Sequence, residues 1–234
     1  MKNEVVALTC SSNATTIFQK VSTYIYSGLL YIAILSSLLP ISAGIRRWTV
    51  VGKDLKVLLS LLIIGFIMDC FTVWGYNDVY LPIFSYGYLL VELLSVMYVV
   101  IVWQESLHIK RLFQIVIILY GTFWIYARFA FASFSRLYSI AGSVSKIIFV
   151  LSAGYTLFIV IATNLESLKK DKRFWILLSF ILNSGGTLMP FALQELLFIQ
   201  SKQALYIAWS ITWVIGIISN ILFTVGFLCP QKQT

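Results

Sequence analysis

Long apolar runs alternate with short polar segments along almost the whole chain. A helix crossing about 30 Å of hydrocarbon needs roughly 20 mostly apolar residues. Seven runs meet that requirement: 22–44, 55–76, 80–103, 112–133, 137–164, 174–199 and 204–229. Only Asn77, Asp78 and Val79 separate the second run from the third. That polar pair predicts a tight turn rather than one overlong helix. The pattern therefore predicts an all-α polytopic membrane protein with one seven-helix transmembrane domain over 22–229. A tail over 1–21 precedes it and a short tail over 230–234 follows.

Composition agrees with the pattern. Of 234 residues, 60% are hydrophobic and 11% charged, and the mean hydropathy is +0.92. So few charges cannot solvate the outside of a soluble globule of this size. The lipid bilayer is the expected partner, with no appended soluble module. The first twenty residues lack the continuous apolar stretch of a signal peptide, so the first helix is expected to direct insertion.

A net charge of +8 raises the question of nucleic acid, and the placement of the charge answers it. The basic residues sit in short loops between apolar runs, where they encode orientation rather than a nucleic-acid footprint. With the N-terminus outside, the inner segments carry Arg46, Arg47, Lys53, Lys56, Lys110, Arg111, Lys169, Lys170, Lys172, Arg173 and Lys232. The outer segments carry only Lys2, Lys20, Arg136 and Lys202. The positive-inside rule thus predicts an extracytoplasmic N-terminus and a cytoplasmic C-terminus. Cys10, Cys70 and Cys229 fall in three different environments and suggest neither a disulfide framework nor a metal site. Asn13-Ala14-Thr15 matches a glycosylation sequon, a short pattern common by chance.

Ionisable groups inside a span are expensive and call for a partner or a purpose. Asp69, Glu92, Arg128 and Lys146 are four such groups, two acidic and two basic. At 1.5 Å of rise per residue they lie about 21, 16, 25 and 27 Å from the inner ends of their helices, on the outer side of the midplane. Helical spacing sets Glu92 with Ser85, Tyr88 and Ser95, Asp69 with Gly65, Thr72 and Tyr76, and Lys146 with Ser139, Gly142 and Ser143. Small and hydroxyl residues at these offsets mark faces turned inward rather than to lipid. The stripe of Arg128 runs instead through Gly121 and Trp124, and its side chain could snorkel to the headgroups. Two readings follow: interhelical pairs that hold the bundle, or a pocket in which Asp69, Glu92, Arg128, Lys146 and Tyr88 bind a small polar or zwitterionic ligand.

The sixth run contains Asn183-Ser184-Gly185-Gly186 followed by Pro190, a poor helix interior. The spacing predicts an interrupted helix, acting as a packing kink or a hinge. Asn220 in the seventh run lies at nearly the depth of Asn183, on a face with Gly216 and Thr224, so an Asn183–Asn220 hydrogen bond is expected across the two helices.

Catalytic chemistry finds little support. The single histidine, His108, falls in a basic loop and cannot supply a metal cluster alone. No Ser–His pair lies within the membrane, Gly65-Phe66-Ile67-Met68-Asp69 is not the GxGD pattern of intramembrane aspartyl proteases, and no phosphate-cradling glycine loop is present. The seventh run has no lysine for a retinal Schiff base. Receptor hallmarks are missing too: the third run ends Ile101-Val102-Trp103-Gln104-Glu105, and the seventh has no Asn-Pro-x-x-Tyr. No internal repeat stands out, and Pro40 of the first run has no counterpart in the fifth, which counts against a three-plus-one-plus-three transporter. The expectation is a non-enzyme without metal or cofactor.

Four stretches carry a resemblance: LLPISAGIRRWTVVGKDLKVLL, YLLVELLSVMYVVIVW, FWILLSFILNSGG and SNILFTVGFLC. Through them the chain resembles a group of uncharacterised bacterial seven-helix membrane proteins of similar length. That resemblance implies a bacterial inner membrane and brings no activity with it; Glu92 lies in one of the stretches. The reading is a small-molecule sensor or receptor-like module with a polar pocket in its outer half, working through a cytoplasmic or membrane protein partner. A small-solute or proton-coupled transporter and a non-catalytic scaffold are the alternatives.

Overall fold

A computed structural model describes residues 26–73, 81–130, 134–163, 165–200 and 202–229. The expected tails over 1–21 and 230–234, and the turn at Asn77-Asp78-Val79, lie outside the described residues. The described residues form seven helices long and apolar enough to cross a membrane. They are α1 (Tyr26–Arg46), α2 (Lys53–Val73), α3 (Leu81–Trp103), α4 (Leu107–Ala130), α5 (Phe134–Thr163), α6 (Lys172–Gln200) and α7 (Lys202–Leu228). A short 3-10 turn, Leu165–Lys170, joins α5 to α6. The fold is all-α, and no strand occurs among the described residues. Helix is the physical outcome because each span must satisfy its own backbone polar groups where water is absent.

Local chemistry places the helix ends and irregularities. The α1 helix is interrupted by a turn at Ser37, three residues before Pro40, whose ring nitrogen has no proton for the ladder. The α4 helix starts at Leu107, so His108, Lys110 and Arg111 belong to its first turns rather than to the expected loop. Asp171 caps α6: its Oδ1 accepts the backbone N–H of Arg173 at 2.8 Å, and its carboxylate also pairs with the Arg173 guanidinium.

Six helices close into a ring in the order α1-α2-α3-α5-α6-α7, with α7 returning to α1. The α4 helix stands outside it, packed on α3 and α5. Aromatic residues with polar tips hold it there. Tyr86 stacks on Trp124 with centroids 4.5 Å apart, and Trp124 Nε1 donates to the Tyr86 carbonyl. Tyr120 donates to the Ala141 carbonyl of α5. On the outer surfaces Phe129, Leu151 and Phe158 are exposed, the arrangement of a bundle whose solvent is hydrocarbon.

The two halves of the ring differ. The half carrying the 47–52, 104–106 and 164–171 connections is filled by Leu55, Leu58, Leu59, Val96, Met97, Val100, Phe149, Ile176, Leu177 and Phe227. Polar ties lock that end. Arg47 Nη1 donates to the Phe227, Leu228 and Cys229 carbonyls at 3.2, 2.8 and 2.9 Å, capping α7 where its dipole favours a cation. Asp54 Oδ2 accepts from Trp103 Nε1 at 2.8 Å and pairs with Lys172 at 3.0 Å, joining α2, α3 and α6. Gln104 Nε2 donates to Thr156 Oγ1 at 2.6 Å in a buried contact. The opposite half is hollow.

The expected break in α6 does not occur. The helix runs through Lys172–Gln200 with Pro190 inside it. Pro190 offers no N–H to the Gly186 carbonyl four residues earlier; that carbonyl lies 3.4 Å from Thr212 Oγ1 of α7, whose one proton it shares with the nearer Ala208 carbonyl at 3.1 Å. Gly186 permits the approach: a Cβ there would fall 2.6 Å from Ile215 Cδ1 of α7. A run that reads as a break along the chain stays helical, packed closely on a neighbouring helix.

Candidate functional site

The hollow half contains a cavity of 320 Å³ with walls from all six ring helices and none from α4. This volume lies at the lower end of the roughly 300–1,000 Å³ of small-molecule sites. Along α2 the wall runs from Leu62 to Thr72, about 15 Å of helix.

Its polar side comes from α2, α3 and α5. The inward stripes converge here: Gly65, Asp69 and Thr72 of α2 face Ser85, Tyr88 and Glu92 of α3 across the cavity, and Lys146 enters from α5. Lys146 Nζ donates to Glu92 Oε1 at 2.6 Å, with side chains 6% and 13% exposed. The ammonium also sits 5.2 Å from the Phe149 ring centroid. Asp69 is exposed, lines the cavity, and has no hydrogen-bond or salt-bridge partner among the described residues. Tyr88 swings over Gly65, where an added Cβ would lie 2.9 Å from its hydroxyl. Ser139 and Gly142, two turns and one turn before Lys146, face α6: Ser139 donates to the Phe191 carbonyl, and Gly142 lies against the Phe191 ring.

The far side comes from α6 and α7. Phe191 sits between Tyr138 of α5 and Trp209 of α7, with centroids 5.2 and 6.1 Å away, and all three line the cavity. One face of α7 supplies Trp209, Thr212, Trp213, Gly216, Ser219 and Asn220. Ser219 is 1% exposed, and its hydroxyl has no hydrogen-bond partner among the described residues. Its carbonyl accepts from Ser179 at 2.7 Å.

Among the sequence-selected residues, Asp69, Tyr88, Glu92, Lys146, Asn183 and Asn220 all border this cavity. Arg128 does not: it is exposed on α4, beyond the ring, within electrostatic reach of Tyr86. Gly185, Gly186 and Pro190 are not wall residues either; Gly185 is exposed and Pro190 is buried within α6. The expected Asn183–Asn220 bond is replaced. Asn220 Nδ2 donates to Ser36 Oγ of α1 at 2.8 Å, because the irregular turn at Ser37 brings that hydroxyl within reach.

The residues missed from sequence are Tyr138, Trp209, Thr212, Trp213 and Ser219. The signal was the run 209, 212, 213, 216, 219, 220, 223, which is one helical face mixing aromatic, hydroxyl and glycine residues. Asp54 and Trp103 were missed as well, since a charge near a helix end gives no sign of its partner. No group of three His, Cys, Asp or Glu side chains that could hold a metal converges among the described residues. Comparison with protein-family models, with curated proteins and with solved structures finds no match, and the geometry of this integral membrane bundle is the ground for reading its function.

Proposed function

We propose that the protein is a small-molecule sensor or receptor-like module that binds a small polar solute in the central cavity. The carrying observation is one cavity bounded by six helices that holds Asp69, Glu92 and Lys146 and is sealed at the basic end. In this reading the N-terminus is outside a bacterial inner membrane, the cavity faces outward, and the packed basic end faces the cytoplasm, where a partner protein takes the signal. A solute touching both α2–α3 and α6–α7 favours one spacing of these pairs. The relay point is the close packing of Gly186 against Thr212 and Ile215 of α7. In this reading the role is non-catalytic, and Lys146, the lysine among the described wall residues, is engaged with Glu92.

A thermal-stability screen of the detergent-purified protein against cationic, anionic, zwitterionic and neutral solutes tests this, with Glu92→Gln beside wild type. A solute that raises the wild-type melting temperature and not that of the variant supports a binding site. If no solute shifts wild type while Glu92→Gln melts earlier, the charges only hold the bundle together and the scaffold reading takes over.

One observation favours a second reading, a carrier. The three helices before α4 and the three after it follow one another in chain order round the ring, α1-α2-α3 and then α5-α6-α7, with α4 outside. Solute sites of transporters lie between such units, which rock about them. Solute accumulation in proteoliposomes distinguishes the two: a sensor binds without flux.

A further inference from the structure

Resting on the reading of the cavity as a binding site, we propose that its ligand is an organic cation, an ammonium group on an apolar or aromatic body, anchored by Asp69. The charge balance of the wall carries the argument. Among the wall residues the ionisable groups of full charge are Asp69, Glu92 and Lys146. Lys146 and Glu92 are closed on each other at 2.6 Å and nearly buried, so they neutralise one another. Among the described residues no other lysine or arginine lines the cavity, so a ligand carboxylate or phosphate would have to break that pair to find a cation there. Asp69 is left over, turned to the cavity and without a partner among the described residues. An unpaired carboxylate in a low-dielectric surround favours a cation strongly.

The remaining wall suits the same ligand. Tyr138, Phe191 and Trp209 form a continuous aromatic row, and Phe66, Trp213 and Phe223 add further rings. Ring faces attract ammonium groups and pack the apolar body that carries one. The unpartnered Ser219 hydroxyl is a buried group with a hydrogen bond still to make, and it lines the same space. A buried hydroxyl left unpaired is costly, so a ligand polar group or a bridging water is its natural complement.

The test is calorimetric titration of the purified full chain with three probes sharing one body: 2-phenylethylamine, 2-phenylethanol and 3-phenylpropionate. Wild type should bind the amine roughly tenfold or more tightly than the alcohol, the scale of a charge-assisted hydrogen bond, and the propionate least. Asp69→Asn should lose that preference while binding the alcohol as wild type does, and Asp69→Glu, which keeps the charge, should retain most of it. Ser219→Ala should weaken the amine and the alcohol alike. The cation assignment is overturned, with the binding site left standing, if the alcohol or propionate binds as tightly as the amine. It is also overturned if Asp69→Asn keeps the amine preference. Binding of none of the three to wild type at millimolar concentration overturns the assignment and the binding-site reading together.

Discussion

Breaking one side of the Glu92–Lys146 pair should cost more than removing both sides. The two groups touch at 2.6 Å with side chains 13% and 6% exposed, so either one left alone is a stranded charge. Removing one partner of a buried pair typically costs about 3–5 kcal/mol, whereas replacing both is often near neutral. The working figure is about 3 kcal/mol for Lys146→Met or Glu92→Gln. In a chain of this size that is roughly 6–12 °C of melting temperature. The double variant should lose no more than one single does, giving a coupling of about 3 kcal/mol or more. The assay is thermal unfolding of the four purified proteins in detergent, followed by tryptophan fluorescence. Singles within about 1 °C of wild type, or losses that simply add in the double, would refute the reasoning.

Three further outcomes follow from the packing. Thr212→Val should lower stability by no more than about 0.6 kcal/mol, the usual size of an interhelical hydrogen bond in membranes, because its hydroxyl is shared between the Gly186 carbonyl and the Ala208 carbonyl of its own helix; in a Pro190→Ala background, where a backbone N–H returns to the Gly186 carbonyl, the same change should have a smaller effect on the melting temperature. Arg47→Ala should cost about 1–2 kcal/mol by uncapping the last carbonyls of α7, and hydrogen exchange should show added opening confined to the 225–229 end. Asp54→Ala should cost about 2–3 kcal/mol, since Trp103 and Lys172 share its carboxylate; melting curves should show a larger loss for it than for Asp54→Asn, which keeps an acceptor for the indole.

Hydropathy is a local property of the chain, and so the seven spans, the all-α class and the inward faces around Asp69, Glu92 and Lys146 were legible from sequence alone. A long apolar run has one stable form in hydrocarbon, and a stripe of Gly, Ser, Thr and Tyr marks the side that avoids lipid. Partnership is not local. That Lys146 meets Glu92 and leaves Asp69 open follows from α5 standing next to α3 in the ring, with α4 excluded. The same exclusion puts Arg128, the fourth intramembrane charge, outside the site. Spacing alone read Gly185, Gly186 and Pro190 as a break, because the α7 residues that pack against Gly186, Thr212 and Ile215, belong to another helix. Asn220 found Ser36 rather than Asn183 because the return of α7 to α1 closes the ring. Which helices lie side by side depends on contacts between residues far apart in the chain, and these arise only when the whole bundle packs.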